Sequence, residues 1–518
     1  MSRPQLTGRT ANMWTSLLNL PRTAALASCR RPRRALSIAQ RHSCSCRTHS
    51  TTLPLSASLA VHPCHASAGF AHNLPYPHPQ PFIPPPLPRQ ERPEQQKQQQ
   101  QQQQQGDDHH EKEQSTTFYR RELPPHLHSF TSPAGRALFK ECVQAGHAEI
   151  YFSLSGNFVM QSEPAFCGLG SLAMVLNALA VDPGKRWKGV WRWYSDDMLE
   201  CCAPLTQIRQ KGMTFRELAC LARCNGLRVV AKRADQVSRE EFLNDLRTVT
   251  ASEDTHMVVS FSRATLSQTG DGHFSPIGAY HPEKNQALVL DTARFKYPSY
   301  FCDANLLYEA MQPLDKETGL PRGYFILTKG ESQPISLLKL HQNIDWPRLT
   351  RLFCHDLPQS FSLMDNLEPS DIIQHILSSL PPDNGFLISL QHPGIDLAGP
   401  SDELATTHAV QIQRLLAETV AHPMFTLVKQ AVESSHLASH SHTDGSLALA
   451  TILLLAAPRE LFVTLSTQCV SQLSAARDVK SMTPLVRSEV ERITEQLEVL
   501  LNRNCQCGKR GMCGIHKV

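Results

Sequence analysis

The sequence predicts an α+β protein, and three stretches carry that prediction. The first is an apolar helical run that opens on a cysteine, QSEPAFCGLGSLAMVLNAL, with Cys167 six positions after Gln161. The second, TGDGHFSPIGAYHPEKNQALVLDTARFKYP, has β-branched and aromatic residues on either side of a Pro–Asn turn cluster, the pattern of a β-hairpin. The third is a C-terminal region in which apolar segments at helical spacing alternate with polar breaks.

In the first stretch, a thiol at a helix N-terminus feels the positive end of the macrodipole and unsatisfied backbone N–H groups. Both favour the thiolate, the reactive form of cysteine. In the second, a turn centred near residues 283–284 folds a strand over residues 287–291 back along its partner, which brings His273 towards Asp291. Alone, each of the three residues reads as readily as a structural one. Together they are the parts of a thiol acyl-transfer site, in which the imidazole moves the proton and the carboxylate orients the imidazole. Gln161 supplies an amide N–H for the oxyanion, together with the backbone N–H of Cys167.

Between these stretches, Thr214 and Glu217 have capping-box spacing and Asn225-Gly226 is a stop signal, so residues 215–224 are predicted as a helix. Cys220 and Cys224 then stack on one face. With the adjacent Cys201 and Cys202 they form a candidate site for a soft cation such as cadmium, zinc or copper(I). Buried cysteines that pack as small hydrophobes fit the same pattern.

The chain has 518 residues, 41% hydrophobic, which is enough for several domains with substantial cores. A net charge of +4 gives no argument for a nucleic-acid or membrane-surface partner. The longest apolar run, LALATILLLAA at residues 447–457, is short of the roughly 20 residues that span a bilayer, and it predicts a buried helix or strand. Sixteen scattered cysteines predict a reducing compartment with free thiols rather than a disulfide framework.

No Asp or Glu precedes Glu91, while nine arginines from Arg3 to Arg47 fall among Ser, Thr, Ala and Leu. This is transit-peptide composition and predicts a mitochondrial or chloroplast address, with an untargeted, disordered extension of a cytoplasmic protein as the alternative. A proline-rich tract, a glutamine run and a charged segment follow as a linker without core-forming residues. Beyond residue 345, PSDIIQHILSSL, THAVQIQRLLAETV and SEVERITEQLEVLLN predict a mostly helical domain, with a short strand pair around GFLISLQ. The final CQCGKRGMCGIH offers Cys505, Cys507 and Cys513 as further metal-ligand candidates.

The stretches QSEPAFCGLGSL, DPGKRWKGVWRWY, LECCAPL, LARCNGLRV, GHFSPIGAYH and LDTARFKYP, in this order, resemble the phytochelatin synthase family, continuously over residues 118–329. The resemblance implies a papain-like cysteine-peptidase fold for the catalytic domain and a catalytic set of Cys167, His273, Asp291 and Gln161. It implies transfer of γ-glutamylcysteine from glutathione to a second glutathione or a growing chain, with release of glycine, for heavy-metal chelation. Arg294, Lys296 and Tyr297 of ARFKYP are substrate-binding candidates, since a guanidinium fork matches a carboxylate. No organic cofactor is implied. Metals act largely as metal–glutathione thiolates, and a homodimer is compatible with the family. Alternatives are hydrolysis of glutathione or its conjugates at the same site, and a non-enzymatic thiol-rich metal buffer. The expected layout is a transit peptide (1–60), a disordered linker (61–117), the catalytic domain (118–330), a helical regulatory domain (331–500) and a cysteine-rich tail (501–518).

Overall fold

The computed structural model describes residues 121–504, apart from residue 200 and residues 331–334, 342–343, 365–366, 382–386, 392–402 and 435–441. The transit-peptide and linker expectations, and the tail candidates Cys505, Cys507 and Cys513, lie outside the described residues.

The region up to residue 329 is mixed helix and sheet, as expected for α+β. Its centre is a seven-stranded sheet whose paired strands all run antiparallel, in the order β1-β6-β5-β4-β3-β7-β2. The strands are β1 (His128–Ser129), β2 (Leu227–Arg233), β3 (Thr255–Ser262), β4 (Gly272–His281), β5 (Gln286–Val289), β6 (Tyr300–Asp303) and β7 (Gly323–Lys329). β3 and β4 are buried along almost their whole length, which explains why their sequences read as near-continuous apolar runs rather than alternating ones.

Among the described residues, the α-helices of this region are α1 (Pro133–Gln144), α2 (Glu149–Gly156), α3 (Cys167–Ala178), α4 (Leu205–Lys211), α5 (Phe215–Cys224), α6 (Arg239–Thr250) and α7 (Ala304–Met311). α3 is the apolar run predicted to carry the nucleophile. Gly168 to Leu176 are all buried, so this helix has no solvent face and packs inside the domain. α5 starts as predicted, with both halves of the Thr214–Glu217 capping box formed. Those reciprocal bonds satisfy two backbone donors that the helix ladder leaves open.

The C-terminal region is mostly helical, and one short strand pair joins β8 (Leu338–Leu340) to β9 (Ile388–Leu390). Its helices are α8 (Trp346–Arg351), α9 (Leu357–Ser362), α10 (Pro369–Ser379), α11 (Glu403–Val420), α12 (Pro423–Glu433), α13 (Asp444–Ala456), α14 (Thr467–Ala476) and α15 (Pro484–Asn504). α13 holds the LALATILLLAA run, buried from Leu447 to Ala456. Two hydrophobic cores result, one lying between Leu127 and Leu327 and the other between Leu337 and Leu501. Val499 of α15 is the C-terminal residue that joins the first core.

α15 is tied to the rest by buried polar side chains as well as by its apolar stripe. Glu489 accepts from the backbone N–H groups of Leu337 and Leu338, each at 3.0 Å, and Gln496 Oε1 accepts from Leu340 N–H at 3.0 Å. These bonds satisfy strand donors that would otherwise be buried without partners. No helix among the described residues is long and apolar enough to cross a membrane.

Candidate active site

Cys167 is the first residue of α3 and is partly exposed. Its backbone N–H lies outside the i→i−4 ladder and is available to a ligand. α3 is fixed against the sheet where Ser171 Oγ donates to the carbonyl of Phe274 at 3.1 Å. That anchor places the thiol against the start of β4, beside the His273 side chain and the backbone of Phe274.

The predicted hairpin forms, with β4 and β5 joined by a turn at residues 282–285. A register irregularity between Ile277 and Ala279 bends the strand, and Leu290 covers Gly278 so closely that a Cβ there would lie 3.0 Å from its Cγ. Leu290 N–H donates to Pro276 O at 2.9 Å, and the next residue, Asp291, turns its carboxylate to His273. His273 Nε2 and Asp291 Oδ1 are 3.1 Å apart. This leaves Nδ1 as the ring nitrogen for the thiol, the division of labour a thiol–imidazole–carboxylate site needs.

The electrostatics match that assignment. Burial opposes ionisation of Cys167, but His273 and, less strongly, Arg263 outweigh it and hold the thiol below its ordinary range. Burial and Arg263 oppose protonation of His273, yet Asp291 and the thiolate raise it above the usual imidazole value. Asp291, with no exposed surface, is also penalised by burial, but His273 and Arg263 bring its pKa down to about 2. Both shifts run in the direction that favours a thiolate–imidazolium pair over the Asp291 carboxylate.

Arg263 is the residue that sequence reading missed. It follows β3, is 3% exposed, and its Nη2 lies 3.0 Å from both His273 Nε2 and Asp291 Oδ1. Nη1 donates to Gln268 Oε1 at 2.7 Å, and the guanidinium sits over the Tyr297 ring, 5.2 Å from its centroid. No local signal in the sequence marks it, since an arginine after an apolar strand reads equally well as a solvated strand end.

Gln161 is 2% exposed, and its Oε1 accepts from Thr292 Oγ1 at 3.1 Å. Its Nε2 donates to the carbonyls of Glu163 (2.9 Å) and Pro164 (2.8 Å). The amide thus braces the loop leading into α3, and it must release one carbonyl to meet an oxyanion. The Cys167 N–H needs no such exchange.

Cys167 and His273 open onto a cleft of about 480 Å³. Lys211, Arg233, Arg263, Lys296, Lys316 and Arg322 line it, against three carboxylates, Asp271, Asp315 and Glu317. Two of the cations, Arg322 and Lys316, pair with Asp271. Of the three ARFKYP candidates, Lys296 reaches this cleft. Arg294 instead lies over the Phe158 ring and donates to Ser299 Oγ, and buried Tyr297 receives the Thr269 N–H at 3.0 Å beneath Arg263.

The four cysteines predicted to converge do so, all buried. The free-thiol expectation is corrected here, because Cys202 and Cys220 form a disulfide. Spacing in sequence says nothing of which distant thiol lies opposite, and the Cys202 loop folds onto α5. The Cys202 and Cys224 sulfurs are 3.6 Å apart, and the sulfurs of Cys201, Cys202 and Cys224 all lie within 4.8 Å of one another. Its bond with Cys201, reinforced by burial, holds the Cys224 thiol well above its usual range and therefore protonated.

The arrangement is that of the cysteine-nucleophile acyl-transfer class: a thiol at a helix start, a histidine base on the adjoining strand and a buried carboxylate behind it. Residues 118–324 match the phytochelatin synthase family model. The chain is 44% identical over 266 residues to the glutathione gamma-glutamylcysteinyltransferase of Schizosaccharomyces pombe, an alignment covering 51% of this chain and 63% of that protein. It is 43% identical over 274 residues to glutathione gamma-glutamylcysteinyltransferase 1 of Triticum aestivum, covering 52% of this chain and 54% of the relative. The Arabidopsis thaliana enzyme of the same name is 42% identical over 265 residues, 51% of this chain and 55% of its own length. The chain thus spans between about half and under two thirds of the length of these relatives.

Proposed function

We propose that this protein is a glutathione γ-glutamylcysteinyltransferase, a phytochelatin synthase, with a papain-like catalytic domain. The observation that carries the reading is Cys167 beside the bonded pair His273–Asp291 at the floor of a cationic cleft, within the segment that matches the family.

The Cys167 thiolate attacks the carbonyl carbon of the Cys–Gly amide of glutathione. The oxyanion that forms is met by the Cys167 N–H, and by Gln161 once it gives up one carbonyl. His273 Nδ1–H protonates the glycine nitrogen as the C–N bond breaks, leaving a γ-glutamylcysteinyl thioester and neutral His273. The α-amine of a second glutathione then attacks the thioester carbonyl, His273 takes the amine proton, and the thiolate is released with the lengthened peptide. Asp291 holds the ring and balances its positive charge in both halves. Six cations against three carboxylates favour glutathione carboxylates and the more anionic metal–glutathione thiolates, with Lys296 placed to hold an acceptor carboxylate.

The chemistry of the Cys201, Cys202 and Cys224 sulfurs fits a soft cation. A disulfide sulfur is a poor ligand, so reduction of Cys202–Cys220 would release the full set of four. Activating metal then has two routes, as substrate thiolate and at this cluster.

The test is mass spectrometry of the products when reduced protein meets glutathione with and without cadmium. A ladder spaced by γ-glutamylcysteine units that needs the metal is the expected outcome. Free γ-glutamylcysteine and glycine without a ladder would make water the acceptor and turn the reading into a hydrolase.

A further inference from the structure

The wall of the cleft opposite His273 is short and carries little of its own support. Lys211 ends α4, Gly212 turns the chain at φ 70°, and Met213 and Phe215 follow as cleft residues, with Thr214 between them capping α5. Met213 packs beside Gly168, the residue after the nucleophile: a Cβ there would lie 3.2 Å from the Met213 sulfur. Phe215 stacks on Phe325 with ring centroids 4.1 Å apart, and Arg233 lies over its ring at 4.6 Å. A shift of residues 212–215 therefore moves both the surface next to Cys167 and the footing of Arg233.

α15 of the C-terminal region holds this wall. Arg503, in its last turn, pairs through Nη1 with Glu217 Oε1, and its Nη2 lies 3.4 Å from the carbonyl of Gly212. The other oxygen of the same carboxylate, Glu217 Oε2, accepts the Thr214 N–H at 2.7 Å to close the capping box. Both partners of the ion pair are almost wholly buried, with side chains 7% and 2% exposed. One guanidinium thus grips both ends of the turn, at the carbonyl that opens it and the carboxylate that caps it. Two further pairs between the same helices, Arg216–Glu498 and Arg223–Glu495, are more exposed and touch neither Gly212 nor Thr214.

We infer that Arg503 is a positioning residue for the substrate cleft, so that the end of the C-terminal helix sets how well the cleft holds its peptide. The inference rests on the transferase reading for its kinetic readout, but not for its structural one. Arg503 touches no reacting atom. Its effect belongs in substrate binding, while the Cys167–His273–Asp291 series, anchored on α3 and β4, is left as it is.

The test uses the full chain. In Arg503→Met, the KM for glutathione is expected to rise on the order of tenfold, since small misplacements of positioning groups are costly. Alkylation of Cys167 by iodoacetamide, which does not need the wall, should stay within about twofold of wild type. Hydrogen–deuterium exchange at amides 212–217 should speed up. Arg503→Lys, which keeps the charge but cannot fork between Glu217 and Gly212, should lie between the two and serves if the methionine variant folds poorly. Arg223→Met, on the same interface away from the cleft, should leave KM near wild type. An unchanged KM with unchanged exchange in an active protein would overturn the inference, as would an equal rise in KM for Arg223→Met. If wild type releases no glycine from glutathione, the transferase reading fails, while exchange at 212–217 still decides the role of Arg503.

Discussion

Cys167→Ser is expected to stop glycine release from glutathione, with a loss of at least about 10³-fold, because a serine hydroxyl at this position has no comparable means of ionising. The environment favours the ionised form of a thiol. His273, Arg263 and the helix N-terminus together bring a thiol below its ordinary pKa, but an alcohol starts far above it. The helix itself should tolerate the change, since the residue is partly exposed and the cap at Phe166 uses no side chain. Glycine release by the purified variant is the measurement, with folding checked by thermal melting. Retention of most activity would remove Cys167 from the chemistry.

Arg263→Met should have the second largest effect, on activity and stability together. It strands Asp291, which has no exposed surface, with one cationic neighbour fewer. Breaking a buried pair from one side typically costs about 3 kcal/mol or more. Asp291 is depressed to about 2, so its stabilising contribution is present above the unfolded carboxylate pKa of roughly 3.9 and is lost as pH falls towards 2. Without Arg263, less of that contribution should remain at neutral pH, and the melting temperature should drop.

The pH profile has a definite sign. Arg263 lowers both the Cys167 thiol and the His273 imidazole, so its removal lets both rise. The acid limb of the activity profile, which follows thiolate formation, and the alkaline limb, which follows loss of the imidazolium proton, should both move to higher pH. Activity at neutral pH should fall by about 10². A profile that kept its position, or moved to lower pH, would mean that Arg263 only fills space.

Local structure was legible in the sequence, whereas partners across the fold were legible only where a chemical pattern or the family resemblance joined them. The capping box of α5, the hairpin that returns Asp291 to His273, and the buried α13 were all readable, because each depends on residues within about twenty positions. The ARFKYP turn shows where such reading stops. The turn lies near the cleft, but the direction of each side chain depends on the turn's backbone. Lys296 faces the cleft, while Arg294 and Tyr297 face Phe158 and Thr269. Arg263 needed the knowledge that β3 lies beside β4, and Arg503 meets Glu217 across 286 positions. The Cys202–Cys220 disulfide is a further case, because four buried cysteines allow several pairings and the fold chooses one.

The central claim is that Cys167 carries the acyl group between donor and acceptor. The most direct measurement is mass spectrometry of the Cys167 peptide from protein mixed with glutathione and quenched in acid within the first turnover. The account predicts a γ-glutamylcysteinyl thioester on Cys167, formed with one equivalent of glycine and absent from Cys167→Ser. Glycine release with Cys167 unmodified throughout, or an adduct on another cysteine, would contradict it.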